Sequence, residues 1–207
     1  MLTLYHAPNS RSTRIITLLT ALDVMDQIDI RLTDIPRQDG SGGRDPNNPH
    51  PEGKVPLLVT EEGETIRETN AIMLYLCDRF PSDFAPKVGA PGRATMLSWM
   101  AWYGNVLEPV FVLNIAEISH PMLTSTFRGL PEAITALAAG LEGRDYILGA
   151  RYSVVDLLLA SPFLWFPQAL PDVPVIKDWV ARCGAQPVIA QTTAYETKAQ
   201  QRFTEMA

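Results

Sequence analysis

Three short stretches of this 207-residue chain group side chains closely enough to do chemistry. The first, Pro8-Asn9-Ser10-Arg11-Ser12-Thr13-Arg14, places two serine hydroxyls and an amide in a turn that leaves a strand and enters a helix. The second, Gly53-Lys54-Val55-Pro56, contains an X-Pro bond, which reaches the cis form for only about 0.5–1 kcal/mol. A cis bond there turns the main chain of Val55 outward, where it could pair with a peptide as an added strand does. The third, Glu68-Thr69-Asn70-Ala71-Ile72, opens a helix whose unpaired amides and dipole favour an anion. Metal chemistry finds no donor set, because His6, His50 and His120 are widely separated. Cys77 and Cys183 each lie in an apolar helical pattern outside any Cys-x-x-Cys pair and read as buried free thiols.

These stretches need elements to hold them. Residues 2–5 alternate as a strand, and from Ser12 the spacing of Ile15, Ile16, Leu18, Leu19 and Leu22 predicts a helix. Ile28, Ile30 and Leu32 alternate with Asp29 and Arg31, completing a β-α-β unit. Residues 37–53, broken by proline and glycine, predict a long loop with at most a short helix. Residues 56–59 and 65–67 form a hairpin with Gly63 at its tip, and a helix capped by Thr69-Asn70 runs to Phe80 before Pro81. Residues 81–91 have the composition of a linker. Beyond them only helices are expected, over 92–119, 131–142, 153–169, 175–185 and 187–203, the first kinked at Pro109. The expected architecture is an α/β unit over 1–80, a linker over 81–91 and an all-α unit over 92–207.

Composition narrows the functions. Hydrophobic residues make up 46% and charged residues 19%, a folded globular balance. With 17 Lys and Arg against 23 Asp and Glu, the net charge of -6 offers no field to concentrate nucleic acid. No apolar run approaches the roughly 20 residues of a membrane span, so no membrane partner is expected. The N-terminus lacks the pattern of a secretion signal, which places the protein in the cytoplasm as an expectation.

Taken together, Gly53-Lys-Val-Pro56 and Glu68-Thr-Asn-Ala-Ile72, separated by one hairpin, resemble the cytosolic glutathione S-transferase family, with a serine-like N-terminal motif of bacterial type. Gly149-Ala-Arg-Tyr-Ser153-Val-Val-Asp156 matches that family's capping box, so the resemblance covers nearly the whole chain. It implies a thioredoxin-like α/β N-terminal domain, an all-α C-terminal domain, a homodimer and a role in detoxification. Glutathione would be the co-substrate. Val55 and the cis Pro56 would hold its cysteinyl main chain, Glu68 its α-ammonium group, Thr69 its γ-glutamyl carboxylate, and Lys54 or His50 its glycyl carboxylate, with Arg37 and Gln38 as further candidates.

The resemblance also requires a group that lowers the pKa of a thiol from roughly 8.5. Ser10 is the first choice, Asn9 is an alternative amide donor, and Ser12 is read chiefly as the helix cap. Tyr5 is read as packing. Trp99, Trp102 and Tyr103 lie at helical spacing and form either core or a contact face for a small hydrophobic electrophile. Two other readings remain beside conjugation: glutathione-dependent reduction of disulfides or peroxides, and a non-catalytic binding module of the same fold.

Overall fold

Alternation decides the first element: β1 (Leu2–His6) buries Leu2, Leu4 and His6 on one side and leaves Thr3 and Tyr5 half-buried. It pairs in parallel with β2 (Ile28–Leu32) and antiparallel with β3 (Leu57–Val59). β3 turns through a hairpin into β4 (Thr65–Ile66), with Gly63 at φ 86° near its tip, a left-handed conformation that glycine adopts without a Cβ clash. The strand order is β2-β1-β3-β4. Against this sheet α1 (Thr13–Ala21) buries Ile15, Ile16, Leu18 and Leu19, and α2 (Thr69–Arg79) buries Ile72, Met73, Leu76 and Cys77. Each such aliphatic side chain contributes roughly 1.5–3 kcal/mol on burial. Residues 33–56 hold no helix or strand.

In the computed structural model, which describes residues 1–206, the chain divides into two compact units. One comprises residues 1–81 together with those from 187 onward, and the other residues 82–186. This differs from the expected all-α unit over 92–207. The last helix, α9 (Pro187–Met206), packs on α1, so it belongs with the sheet. It does so through Thr192, Glu196 and Ala199, three buried residues at spacings of four and three. That stripe is mostly polar, and an apolar-periodicity reading passes over it.

Residues 82–186 form the helical unit. The expected helix over 92–119 is instead α3 (Arg93–Trp102), a π-helical turn (Tyr103–Leu107) and α4 (Glu108–Ile115). Pro109 lies in the first turn of α4, and the wider turn ahead of it accommodates the missing N–H that would otherwise break an α-helical ladder. A short helix, α5 (Pro121–Phe127), was not expected; His120 starts it, with Nδ1 accepting the Met122 N–H at 3.2 Å. α6 (Leu130–Leu141), α7 (Val154–Trp165) and α8 (Pro174–Gly184) complete the unit. Among the described residues no helix is long and apolar enough to cross a membrane, and no three metal-ligating side chains gather.

One carboxylate organises the start of α7. Asp156 is fully buried, and its Oδ2 accepts the Ser153 N–H at 3.0 Å and the Ser153 hydroxyl at 2.6 Å. Its Oδ1 accepts the Ile147 N–H at 2.8 Å and the Trp179 Nε1–H at 3.0 Å. Burial pushes the carboxyl above its ordinary pKa, and these bonds oppose the rise. Replacing Asp156 with Ala strands the Ile147 and Trp179 donors in the core, at about 1–3 kcal/mol each. The expected outcome is a loss of roughly 3 kcal/mol or more, measured by denaturant unfolding followed through tryptophan fluorescence; a loss below about 1 kcal/mol would contradict this account. Cys77 and Cys183 are both buried and form no disulfide, and burial pushes the Cys183 thiol up. Neither should react with a disulfide reagent under native conditions, and both should react after unfolding, which a thiol titration reads directly.

Candidate functional site

The sheet register brings the three sequence stretches to one end of the first unit. Tyr5 pairs with Leu57 at the last step of the antiparallel ladder, so His6 and Ala7 leave β1 where Pro56 and Val55 enter β3. Leu58 pairs with Ile66, so the chain leaves β4 toward Glu68 at that same end. The end of β1, the approach to β3 and the exit from β4 are thus neighbours. The turn of residues 7–12, the Val55–Pro56 link and the start of α2 leave from that one end. The Val55–Pro56 peptide bond is cis.

The turn after β1 is held by a chain of side chains. Ser10 is half-buried, and its hydroxyl lies 2.7 Å from the Ala7 carbonyl and 2.8 Å from Ser12 Oγ. Ser12 is fully buried, and its Oγ lies 2.7 Å from His6 Nδ1 while accepting the Ala7 N–H at 3.2 Å. The sequence expectation for Ser12 is corrected here: it occupies the residue before α1, but its side chain makes no capping bond and turns inward to His6. Full burial also leaves it no surface with which to touch a ligand. Asn9 is exposed at φ 54°, a left-handed position that asparagine tolerates. Its main-chain N–H donates to Glu196 Oε2 at 2.8 Å, and its side-chain amide reaches Gln200 on α9 at 3.4 Å. Arg37 donates from Nη2 to the Pro8 carbonyl at 3.0 Å, which ties the loop of residues 33–56 to this turn.

Glu196 is the residue that sequence reasoning missed. It is buried on α9, with Oε1 3.3 Å from His6 Nε2, at ion-pair distance but without the alignment of a hydrogen bond. Burial pushes its carboxyl up, yet His6 and the Asn9 N–H outweigh that and hold it below the ordinary carboxylate value. The available signal was the buried spacing of Thr192, Glu196 and Ala199, which shows only once the helix is known to pack.

At the start of α2, Glu68 occupies the cap position, and no side chain caps the helix end. The Thr69-Asn70 cap expected from sequence therefore does not form; Thr69 is the first helical residue instead. Glu68 is exposed and adopts φ 70° with ψ 125°, a conformation that costs a non-glycine residue on the order of 1–3 kcal/mol and is retained chiefly at functional sites. Lys54 is exposed and paired with Glu52. His50 is buried, and its Nδ1 accepts the Glu52 N–H at 3.0 Å. Burial lowers the His50 pKa. A buried His50 whose Nδ1 is already engaged by the Glu52 N–H is a weaker carboxylate partner than the exposed Lys54.

In the helical unit Trp99 and Trp102 are half-buried and meet edge to face with ring centroids 5.1 Å apart. Tyr103 is 1% exposed. This departs from the expectation of a substrate-facing Tyr103, since a side chain with so little surface serves packing at the π-helical turn.

Residues 4–87 match the family model described as glutathione S-transferase, N-terminal domain, and residues 100–187 match glutathione S-transferase, C-terminal domain. The chain is 27% identical over 139 residues to elongation factor 1-gamma of Artemia salina, covering 63% of this chain and 31% of that protein. It is 25% identical over 121 residues to glutathione S-transferase GstA of Escherichia coli O157:H7, covering 56% and 59% respectively. The matched part thus spans between about a third and three-fifths of these relatives' own length. Among solved structures, a sphingomonad glutathione S-transferase complexed with glutathione superposes with a TM-score of 0.74 at 25% identity, covering 94% of this chain and 98% of that one. BphK, a bacterial GST in a ternary complex, gives a TM-score of 0.75 at 23% identity over 94% and 99%. With both domain models matched in order along one chain and the fold shared nearly end to end, the protein belongs to the cytosolic glutathione S-transferase family.

Proposed function

We propose that the protein binds glutathione at the end of the sheet described above and conjugates its thiolate to a small apolar electrophile. The observation that carries this reading is the register that brings the Ser10 turn, Val55–Pro56 and Glu68-Thr69 to one end. A tripeptide laid along that end would meet a main-chain partner at Val55, an anion site at the uncapped start of α2, and a hydroxyl at Ser10. Glu68 would take the α-ammonium group and Thr69 the γ-glutamyl carboxylate, with Lys54 the cation for the glycyl carboxylate. Trp99 and Trp102, which keep exposed surface, are the aromatic candidates for the electrophile.

The energy required is modest. Lowering a thiol by about two pKa units takes roughly 2.7 kcal/mol. A hydrogen bond to a charged acceptor contributes about 1.5–3 kcal/mol, so one serine hydroxyl supplies most of it. The similarity to elongation factor 1-gamma supports a second reading, a non-catalytic module that keeps the fold.

Glutathione binding measured by calorimetry, together with ultraviolet difference absorbance of the bound thiolate, separates the two. The expected result is binding with a thiolate band at neutral pH and turnover of a chloronitrobenzene substrate. Ser10→Ala should lower kcat/KM about ten- to a hundredfold, following from the loss of one charge-assisted bond. Glu68→Gln should weaken glutathione binding about tenfold or more while leaving the fold intact by circular dichroism. A protein that binds no glutathione at millimolar concentration, or binds it without a thiolate band, would be the module instead.

A further inference from the structure

Glu196, His6, Ser12 and Ser10 form one continuous polar chain from a buried carboxylate to the half-buried hydroxyl of the thiol site. The successive separations are 3.3 Å from Glu196 Oε1 to His6 Nε2, 2.7 Å from His6 Nδ1 to Ser12 Oγ and 2.8 Å from Ser12 Oγ to Ser10 Oγ. His6 and Ser12 are fully buried and Glu196 is 5% exposed, so none of the three is a solvated surface group. We propose that this chain is a proton relay that carries the thiol proton of bound glutathione inward to His6. It rests on the glutathione-binding reading above.

The direction follows from the donors available. A carboxylate facing Nε2 favours the tautomer with hydrogen on Nε2 and leaves Nδ1 as an acceptor. Ser12 then donates to Nδ1, and Ser12 Oγ, already accepting the Ala7 N–H, keeps one lone pair for the Ser10 hydroxyl. The relay runs down that order. The sulfur–hydrogen bond breaks as Ser10 Oγ takes the proton; the original Ser10 hydroxyl proton passes to Ser12 Oγ, and the original Ser12 proton passes to His6 Nδ1. The electron pair stays on sulfur, both serines end neutral, and the imidazolium lies against the Glu196 carboxylate. Ser10 now carries a hydrogen to donate to the thiolate. The contacts that hold Glu196 ionised suit it to this place. Around the imidazole, α9 supplies Glu196 and the Tyr195 ring, 6.1 Å away between centroids, and β2 supplies Leu32 opposite His6. The buried Arg14 of α1 is itself engaged. Glu196 is a positioning residue here: it fixes the tautomer and receives the charge without touching the ligand.

The test compares wild type, Glu196→Gln and Ser12→Ala, each checked for folding by circular dichroism. The Glu196→Gln variant keeps an acceptor for the Asn9 N–H and removes only the charge, while Ser12→Ala breaks the chain and leaves Glu196 in place. Nitrogen NMR of the His6 ring should show one ring proton in the free wild type, two with glutathione bound, and one with S-methylglutathione, which has no thiol proton to give. Either variant should raise the pKa of the bound thiol by about one unit, which cuts the thiolate fraction at neutral pH roughly threefold. The double variant should fall no further than Ser12→Ala alone. A wild-type His6 that gains no proton on glutathione binding, a Glu196→Gln enzyme with an unchanged thiolate fraction, or additive losses would each overturn the relay while the transferase reading stands. Failure of the wild type to bind glutathione would overturn both.

Discussion

The site depends on one constraint, the antiparallel pairing of β3 against β1 in a register fixed by Tyr5 opposite Leu57. Leu57 and Leu58 are both fully buried on opposite faces of β3, so a one-residue slip would take each out of the packing made on its own face. The core therefore locks the register, and the register in turn decides which main-chain groups arrive beside Ala7. The chemistry-bearing residues contribute little to this choice. Val55, Glu68 and Ser10 lie just outside the strands and inherit their positions from apolar residues that never meet a ligand.

The same logic explains what the sequence revealed. Strands with one buried face, the helix from Ile15 to Leu19 and the hairpin around Gly63 announce themselves because their burial follows residue type. The cis-capable proline of Lys54-Val55-Pro56 and the helix start after Glu68 were legible as backbone features. The inward turn of Ser12 was not legible: a serine before a helix ordinarily caps it, and only the position of His6 across six residues draws the hydroxyl away. Glu196 was hidden for a related reason. Its burial depends on α9 docking to α1, and a glutamate in a polar helix carries no sign of that. The π-helical turn at Tyr103 likewise follows from accommodating Pro109, which the apolar stripe of Trp99, Trp102 and Tyr103 does not record.

In the two units a buried carboxylate does comparable structural work by different means. Asp156 is surrounded by four donors and joins the start of α7 to Ile147 and Trp179 within the helical unit. Glu196 has one well-formed bond, to the Asn9 N–H, and one looser contact, to His6. A fully satisfied carboxylate rigidifies its surroundings. A carboxylate with unused acceptor capacity beside an imidazole can stabilise a charge that appears there later. The contrast is one of satisfaction rather than burial, since Asp156 and Glu196 are 0% and 5% exposed.

Membership of the glutathione S-transferase family does not by itself decide whether the proposed thiol site is active, because the relatives include both a glutathione S-transferase and elongation factor 1-gamma. The deciding quantity is local. The Ser10 hydroxyl has the Ala7 carbonyl 2.7 Å away as an acceptor, so a thiolate bound there would have to outcompete it. Bonds to an ionised acceptor are roughly twice as strong as neutral ones, which favours the sulfur. The Ala7 carbonyl has Ser12 Oγ at 3.2 Å as a second donor, available to it only when the Ser12 hydrogen is not given to His6 Nδ1. On the transferase reading, passing from the Ala7 carbonyl to sulfur would take only a rotation of the Ser10 hydroxyl, and that freedom, more than the presence of a serine, is what the turn would bring to a thiolate site.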